Sequence, residues 1–126
     1  MQFFSSDFHF KHKKIVEFTN RKLDTSQEDH DEWLIEIINK QVSPQDTLYT
    51  LGDFAFSSDS KEIEGILNQI NCQVRCIKGN HCSSTTWKHV SSPRLQSFKD
   101  YEEIKLSNGK STCLFHFPMH VWHKHH

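Results

Sequence analysis

No apolar run in this chain approaches the ~20 residues that a membrane-spanning helix needs. The opening Met-Gln-Phe-Phe-Ser lacks the basic and apolar regions of a secretory signal. A cytoplasmic protein with no membrane partner is therefore expected. Cys72, Cys76, Cys82 and Cys113 form no C-x-x-C pair, which argues against a thiolate zinc site. Without a secretion signal the four thiols are read as reduced. Internal repeats and low-complexity linkers are absent, and 126 residues suit one domain with one modest core. A basic stripe and an aromatic platform are missing too, which ranks a nucleic-acid-binding module last.

What is present is a polar globular composition, 35% hydrophobic and 25% charged, with a net charge of −1. The halves differ in sign. Residues 1–71 hold 7 Lys/Arg against 13 Asp/Glu, a balance of −6, while residues 72–126 hold 8 against 3, a balance of +5. The basic half could attract an anionic substrate. An ordinary solvated surface explains it as well. Histidine stands out at 10 residues, five of them from His116 onward.

In chain order, residues 2–6 read as a buried strand, followed by a short helix from Lys13 to about Phe18 and a loop over 20–24. Thr25-Ser26-Gln27-Glu28 matches a capping box with Thr25 as cap. The helix it opens puts Trp33, Leu34, Ile37 and Ile38 on one face, and Glu28, Asp29, Asp31, Glu32 and Glu36 on a solvated one. Pro44 stops it, and a strand runs from Asp46 to Asp53. A second helix over Ser60 to Ile70 carries Ile63, Ile66, Leu67 and Ile70 at helical spacing. Gln73 to Lys78 is the next strand, and Ser83 to Pro93 a loop or short helix. Tyr101–Leu106 and Ser111–Phe115 form a hairpin around Asn108-Gly109. Alternating strands and helices predict an α/β fold with a largely parallel sheet.

Four strand ends carry residues with metal-binding chemistry. Asp7-Phe8-His9 closes the first, Gly52-Asp53 the second, Gly79-Asn80-His81 the third and His116-Phe117-Pro118 the last. Carboxylate, amide and imidazole supply the O and N atoms favoured by divalent ions of intermediate hardness. In an open α/β sheet such ends converge at the ligand-binding edge.

Ser6-Asp7-Phe8-His9, Leu51-Gly52-Asp53-Phe54, Lys78-Gly79-Asn80-His81 and Phe115-His116-Phe117-Pro118 together resemble the successive motifs of calcineurin-like metallophosphoesterases, especially small bacterial and phage members. The likeness runs from about residue 3 to 122. It implies a single-domain layered α/β/β/α sandwich over residues 1–126, C-terminally incomplete. It implies two divalent ions, Mn²⁺ first and Fe, Zn, Ni or Mg as alternatives. Asp53 then matches the carboxylate bridging both ions, Asp7 and His9 ligands of the first, Asn80 and His116 ligands of the second. His81 matches the catalytic His that contacts phosphate and assists the leaving group. The implied reaction is hydrolysis of a phosphomonoester or phosphodiester by a hydroxide bridging the ions. The substrate would be a phosphorylated small molecule, a nucleotide or a nucleic-acid phosphoester. The resemblance leaves the oligomeric state open.

Two departures qualify it. Cys82 stands where the family has an acid that orients the His. The family's closing Gly-His-x-His is also absent. The tail Trp122-His123-Lys124-His125-His126 stands in for it, is ordinary loop, or is a tag. His12, Asn20 and Arg21 are weaker candidates for substrate contact, and His120 for metal contact. The alternative function is a metal- or phosphate-binding protein on the same fold that turns over slowly or not at all.

Overall fold

The computed structural model describes residues 1–19 and 26–123. Its strands are β1 (Gln2–Ser5), β2 (Thr47–Thr50), β3 (Gln73–Ile77), β4 (Leu95–Lys99), β5 (Tyr101–Lys105) and β6 (Ser111–Phe115). Its helices are α1 (Ile15–Thr19), α2 (Gln27–Gln41), α3 (Ser60–Gln69) and α4 (Ser84–Trp87). β1 to β4 form one parallel sheet in the order 1-2-3-4, and β5 and β6 pair as a separate antiparallel hairpin. No helix is long and apolar enough to cross a membrane among the described residues.

Strand order follows chain order, so right-handed crossovers carry every connecting helix to the same face of the sheet. The core records this. Leu48, Val74 and Cys76 pack with Ile35 and Ile38 of α2, Ile63, Ile66 and Leu67 of α3, and Trp87 of α4. The opposite face would be left bare. Tyr49 and Ile77 point there, and Leu114 and Ile104 of the hairpin cover them. Arg75, on the same face, donates to Glu102 of β5 at 2.8 Å. The chain is thus one α/β domain of helices, parallel sheet and hairpin.

Two local expectations are corrected, and one strand is added. The cap of α2 is Ser26, whose Oγ accepts from Asp29 N at 3.1 Å. Ser is at least as good a cap as Thr, and Ser26-x-x-Asp29 is itself a cap sequence. Thr25 and the loop over 20–24 lie outside the described residues. The buried stripe of α2 is Ile35, Ile38 and Val42 with Leu34 at its edge, rather than Trp33 through Ile38. β4 is a strand where the sequence pattern assigns no element. A register shift between Val74 and Arg75 lets Gln96 bulge, since Leu95 pairs with Val74 and Ser97 with Arg75. Leu95 and Phe98, three residues apart, then both reach the helical core. The bulge erases the period-two pattern by which a strand is read. Phe98 stacks on Trp87 with centroids 4.5 Å apart and planes within 6°.

Burial pushes the Cys76 thiol up to about 12 and raises Cys72 and Cys82 as well. An unfolded thiol ionises near 9.0. Stability from these groups is therefore fully present below about pH 9 and falls as pH rises toward about 12, because only the unfolded chain gives up its protons. Denaturant midpoints should fall between about pH 9 and 10.5. In native protein, alkylation followed by mass spectrometry should label half-buried Cys113 well before Cys76.

Candidate metal centre

β1, β2 and β3 are parallel and adjacent, so their carboxyl ends lie side by side. The loops that follow are stitched together. Asp7 N donates to Gly52 O, His9 N to Asp53 O and Phe10 N to Phe54 O, each at 3.0 Å. This backbone geometry is unusual for the residue types. Asp7, His9, Lys11 and Asp53 have φ of 57°, 54°, 62° and 52°, in the left-handed region. Such a conformation costs an L-residue roughly 1–2 kcal/mol and persists only where surrounding structure imposes it. Alternate residues of the 7–11 loop are held this way, beside Asp53.

Asp53 is the most deeply buried member, 3% exposed. Its Oδ1 accepts from His81 N at 2.8 Å. Its Oδ2 lies between two imidazoles, 3.8 Å from His9 Nε2 and 3.5 Å from His116 Nε2. No Lys or Arg pairs with it among the described residues. Gly79 makes room, since a Cβ there would strike the Asp53 carboxylate and its amide N. Gly52, at φ 110°, likewise leaves space for the His116 ring.

His116 arrives from the far layer, at the end of β6. Its Nδ1 donates to the Leu51 carbonyl at 2.8 Å. A carbonyl only accepts, so in the neutral ring Nε2 carries the lone pair. That lone pair faces Asn80 Oδ1 at 2.9 Å and Asp53 Oδ2. With the ring neutral, three electron-rich atoms, His116 Nε2, Asn80 Oδ1 and Asp53 Oδ2, meet here. Asp7 completes the group, and one ligand atom each from Asp7, Asp53 and His116 lie within 4.8 Å of one another. Asp7 Oδ1 is also 3.9 Å from His9 Nε2. This donor set fits a divalent cation, because a buried carboxylate and opposed acceptor atoms are costly unless a positive charge sits among them.

The structure therefore brings Asp7, His9, Asp53, Asn80 and His116 together. The exposed His81 ring stands at the rim, 5.4 Å from His9 and 5.5 Å from Phe56. Cys82 does not face that ring. Its Sγ accepts from Gly79 N at 3.3 Å and closes the 79–82 turn. His12 lies near His9 and 4.8 Å from Phe56. His120 is exposed. His123 pairs with Glu103 at 3.0 Å instead of joining the cluster. Asn20, Arg21, His125 and His126 lie outside the described residues.

One contributor is not where its charge suggests. Asp31, expected on the solvated face of α2, is 4% exposed. Its Oδ1 lies 3.1 Å from Nδ1 of the buried His30, and its Oδ2 accepts from Lys11 N at 3.0 Å. It pins the left-handed loop that carries His9. The signal was present in the sequence, because Asp31, Ile35, Ile38 and Val42 share one helical stripe.

No family model matches the chain. It is 29% identical over 122 residues to the uncharacterized protein MJ1445 of Methanocaldococcus jannaschii, covering 96% of this chain and 66% of that protein. It is 34% identical over 80 residues to the gene 66 protein of Mycobacterium phage L5, covering 62% and 38%. A solved structure, the protein of unknown function AQ665 from Aquifex aeolicus, shares the fold with a TM-score of 0.71 and 27% identity, covering 94% of this chain and 61% of that one. The chain thus spans less than two thirds of the length of these proteins.

Two glycines make a matched test. Gly79→Ala should destabilise by about 1–3 kcal/mol and displace the Asp53 carboxylate. Gly65→Ala, in α3 with nothing within 4 Å of the new methyl, should stabilise by up to about 1 kcal/mol. Urea midpoints of the two variants check this.

Proposed function

We propose that the chain is a metal-dependent phosphoester hydrolase of the calcineurin-like metallophosphoesterase type. The observation carrying this reading is the buried Asp53 Oδ2 set between His9 and His116, with Asn80 Oδ1 facing the same lone pair. A phosphate diester or monoester is the substrate class that two adjacent cations at a sheet edge would serve. The helices, parallel sheet and hairpin are then read as part of the α/β/β/α sandwich.

Asp7, His9 and Asp53 would hold one divalent ion, and Asp53, Asn80 and His116 a second, with Mn²⁺ the first choice. When bound, such ions supply Lewis acidity toward phosphoryl oxygens and lower the pKa of water toward ~7. Asp53 Oδ1 accepts from His81 N, and Oδ2 is the oxygen that faces His9 and His116 and would meet the ions. The bond to His81 N ties the Asp53 carboxylate to the segment carrying His81. His116 is oriented by the Leu51 carbonyl, which also directs its Nε2 inward. The exposed His81 ring is free to reach a leaving-group oxygen and to donate a proton there.

A second reading, a binding protein of slow or no turnover, draws on Cys82. Cys82 stands where the family pattern has the acid that orients the His, and its sulfur engages Gly79 N. The two readings separate on one preparation. Chelator-treated protein should bind Mn²⁺ in calorimetry, melt at a higher temperature with it, and hydrolyse bis(4-nitrophenyl) phosphate only with it. Asp53→Asn should lose the metal-dependent rise in melting temperature and roughly 10³-fold in rate, while the metal-free variant stays folded. Mn²⁺ binding without turnover would favour the binding protein. Absence of Mn²⁺ binding would overturn both.

A further inference from the structure

Beside the strand-end cluster lies a cleft of about 750 Å³. That is within the ~300–1,000 Å³ typical of small-molecule sites. Lys11, Lys13, Lys14 and His12 line it together with Phe56 and His81. Among the described residues its one lining carboxylate, Glu62, is engaged by Ser57 Oγ at 2.7 Å. Three ammonium groups therefore set the charge of the cleft.

Its apolar part is aromatic and open to ligand. Phe56 is 46% exposed, although the preceding Phe54 and Ala55 are buried. The His12 and His81 rings stand 4.8 and 5.5 Å from it. Phe18, 68% exposed, lies 6.0 Å from His12. The cleft is also built rather than incidental. The backbone of Lys11 is left-handed and held by the buried Asp31, so the lysine-bearing loop has a fixed course. His81 belongs to both places. Its ring lines the cleft, and its backbone N holds Asp53.

Resting on the phosphoester-hydrolase reading, we propose that this cleft takes the leaving-group side of the substrate, and that the ligand is a nucleotide bearing a second phosphate. The base would stack on Phe56 and the second phosphate would meet the lysines. A sugar bisphosphate satisfies the lysines but leaves Phe56 bare. An aromatic monophosphate covers Phe56 but leaves the ammonium groups without an anion. A nucleoside bisphosphate satisfies both at once.

The test is calorimetry on chelator-treated protein, where hydrolysis does not intervene, with three probes. Adenosine 3′,5′-bisphosphate should bind about tenfold or more tightly than adenosine 5′-monophosphate or fructose 1,6-bisphosphate. Phe56→Ala should weaken the adenosine bisphosphate about tenfold and leave the fructose bisphosphate unchanged. Lys13→Gln with Lys14→Gln should weaken both bisphosphates more than the monophosphate. Equal affinity for the three probes, or adenosine bisphosphate binding indifferent to Phe56→Ala, overturns the assignment. The hydrolase reading fails separately. Absence of Mn²⁺-dependent hydrolysis of bis(4-nitrophenyl) phosphate with these preferences intact would sink that reading and leave the cleft a nucleotide site.

Discussion

A carboxylate buried with no Lys or Arg paired to it among the described residues is the constraint on which this structure turns. Asp53 sits 3% exposed at the end of β2, in a backbone conformation that aspartate adopts at a cost. One oxygen is satisfied by a backbone N–H. The other lies 3.8 and 3.5 Å from imidazole nitrogens of His9 and His116, and the His116 nitrogen also meets the Asn80 amide oxygen. Folding alone gains little from such an arrangement, since a leucine there would bury more cheaply. Gly52 and Gly79 are shaped to it, as a methyl at either position would strike His116 or Asp53. The left-handed Asp7 and His9 are stitched to the same segment. These local costs converge on one point, which is how strain at a functional site differs from strain scattered by chance.

The topology explains how distant residues meet there. Monotonic strand order sends α2, α3 and α4 to one face and leaves the other to a hairpin. That hairpin is not only a cover. Its Leu114 seals Tyr49 and Ile77, and two residues later the same strand delivers His116 to the edge where β1, β2 and β3 end. Packing and chemistry thus share one element. Loss of the apolar contact at Leu114 would disturb the strand-end cluster through His116.

Much of this was legible in the chain. The i, i+3, i+4, i+7 spacing of Ile63, Ile66, Leu67 and Ile70 gives α3, and Asn108-Gly109 gives the hairpin. The strand-end pairing of Asp7, His9, Asp53, Asn80 and His116 gives the cluster that the fold assembles. What was hidden has physical reasons. β4 is masked because its bulge puts Leu95 and Phe98 on one face at a spacing no regular strand has. Asp31 is masked by its own charge, although its position on the stripe of Ile35, Ile38 and Val42 marks it as buried. Leu51 contributes through its carbonyl, which no side-chain pattern reports.

The central claim is that cations belong around Asp53 Oδ2. The most direct measurement is anomalous diffraction at the manganese edge from crystals grown with Mn²⁺. Two peaks should flank Asp53, about 3.5–4 Å apart. One should lie within coordination distance of Asp7 and His9, the other of Asn80 and His116. Manganese found elsewhere on the surface, with the space between Asp53, His9 and His116 free of signal, would contradict the account.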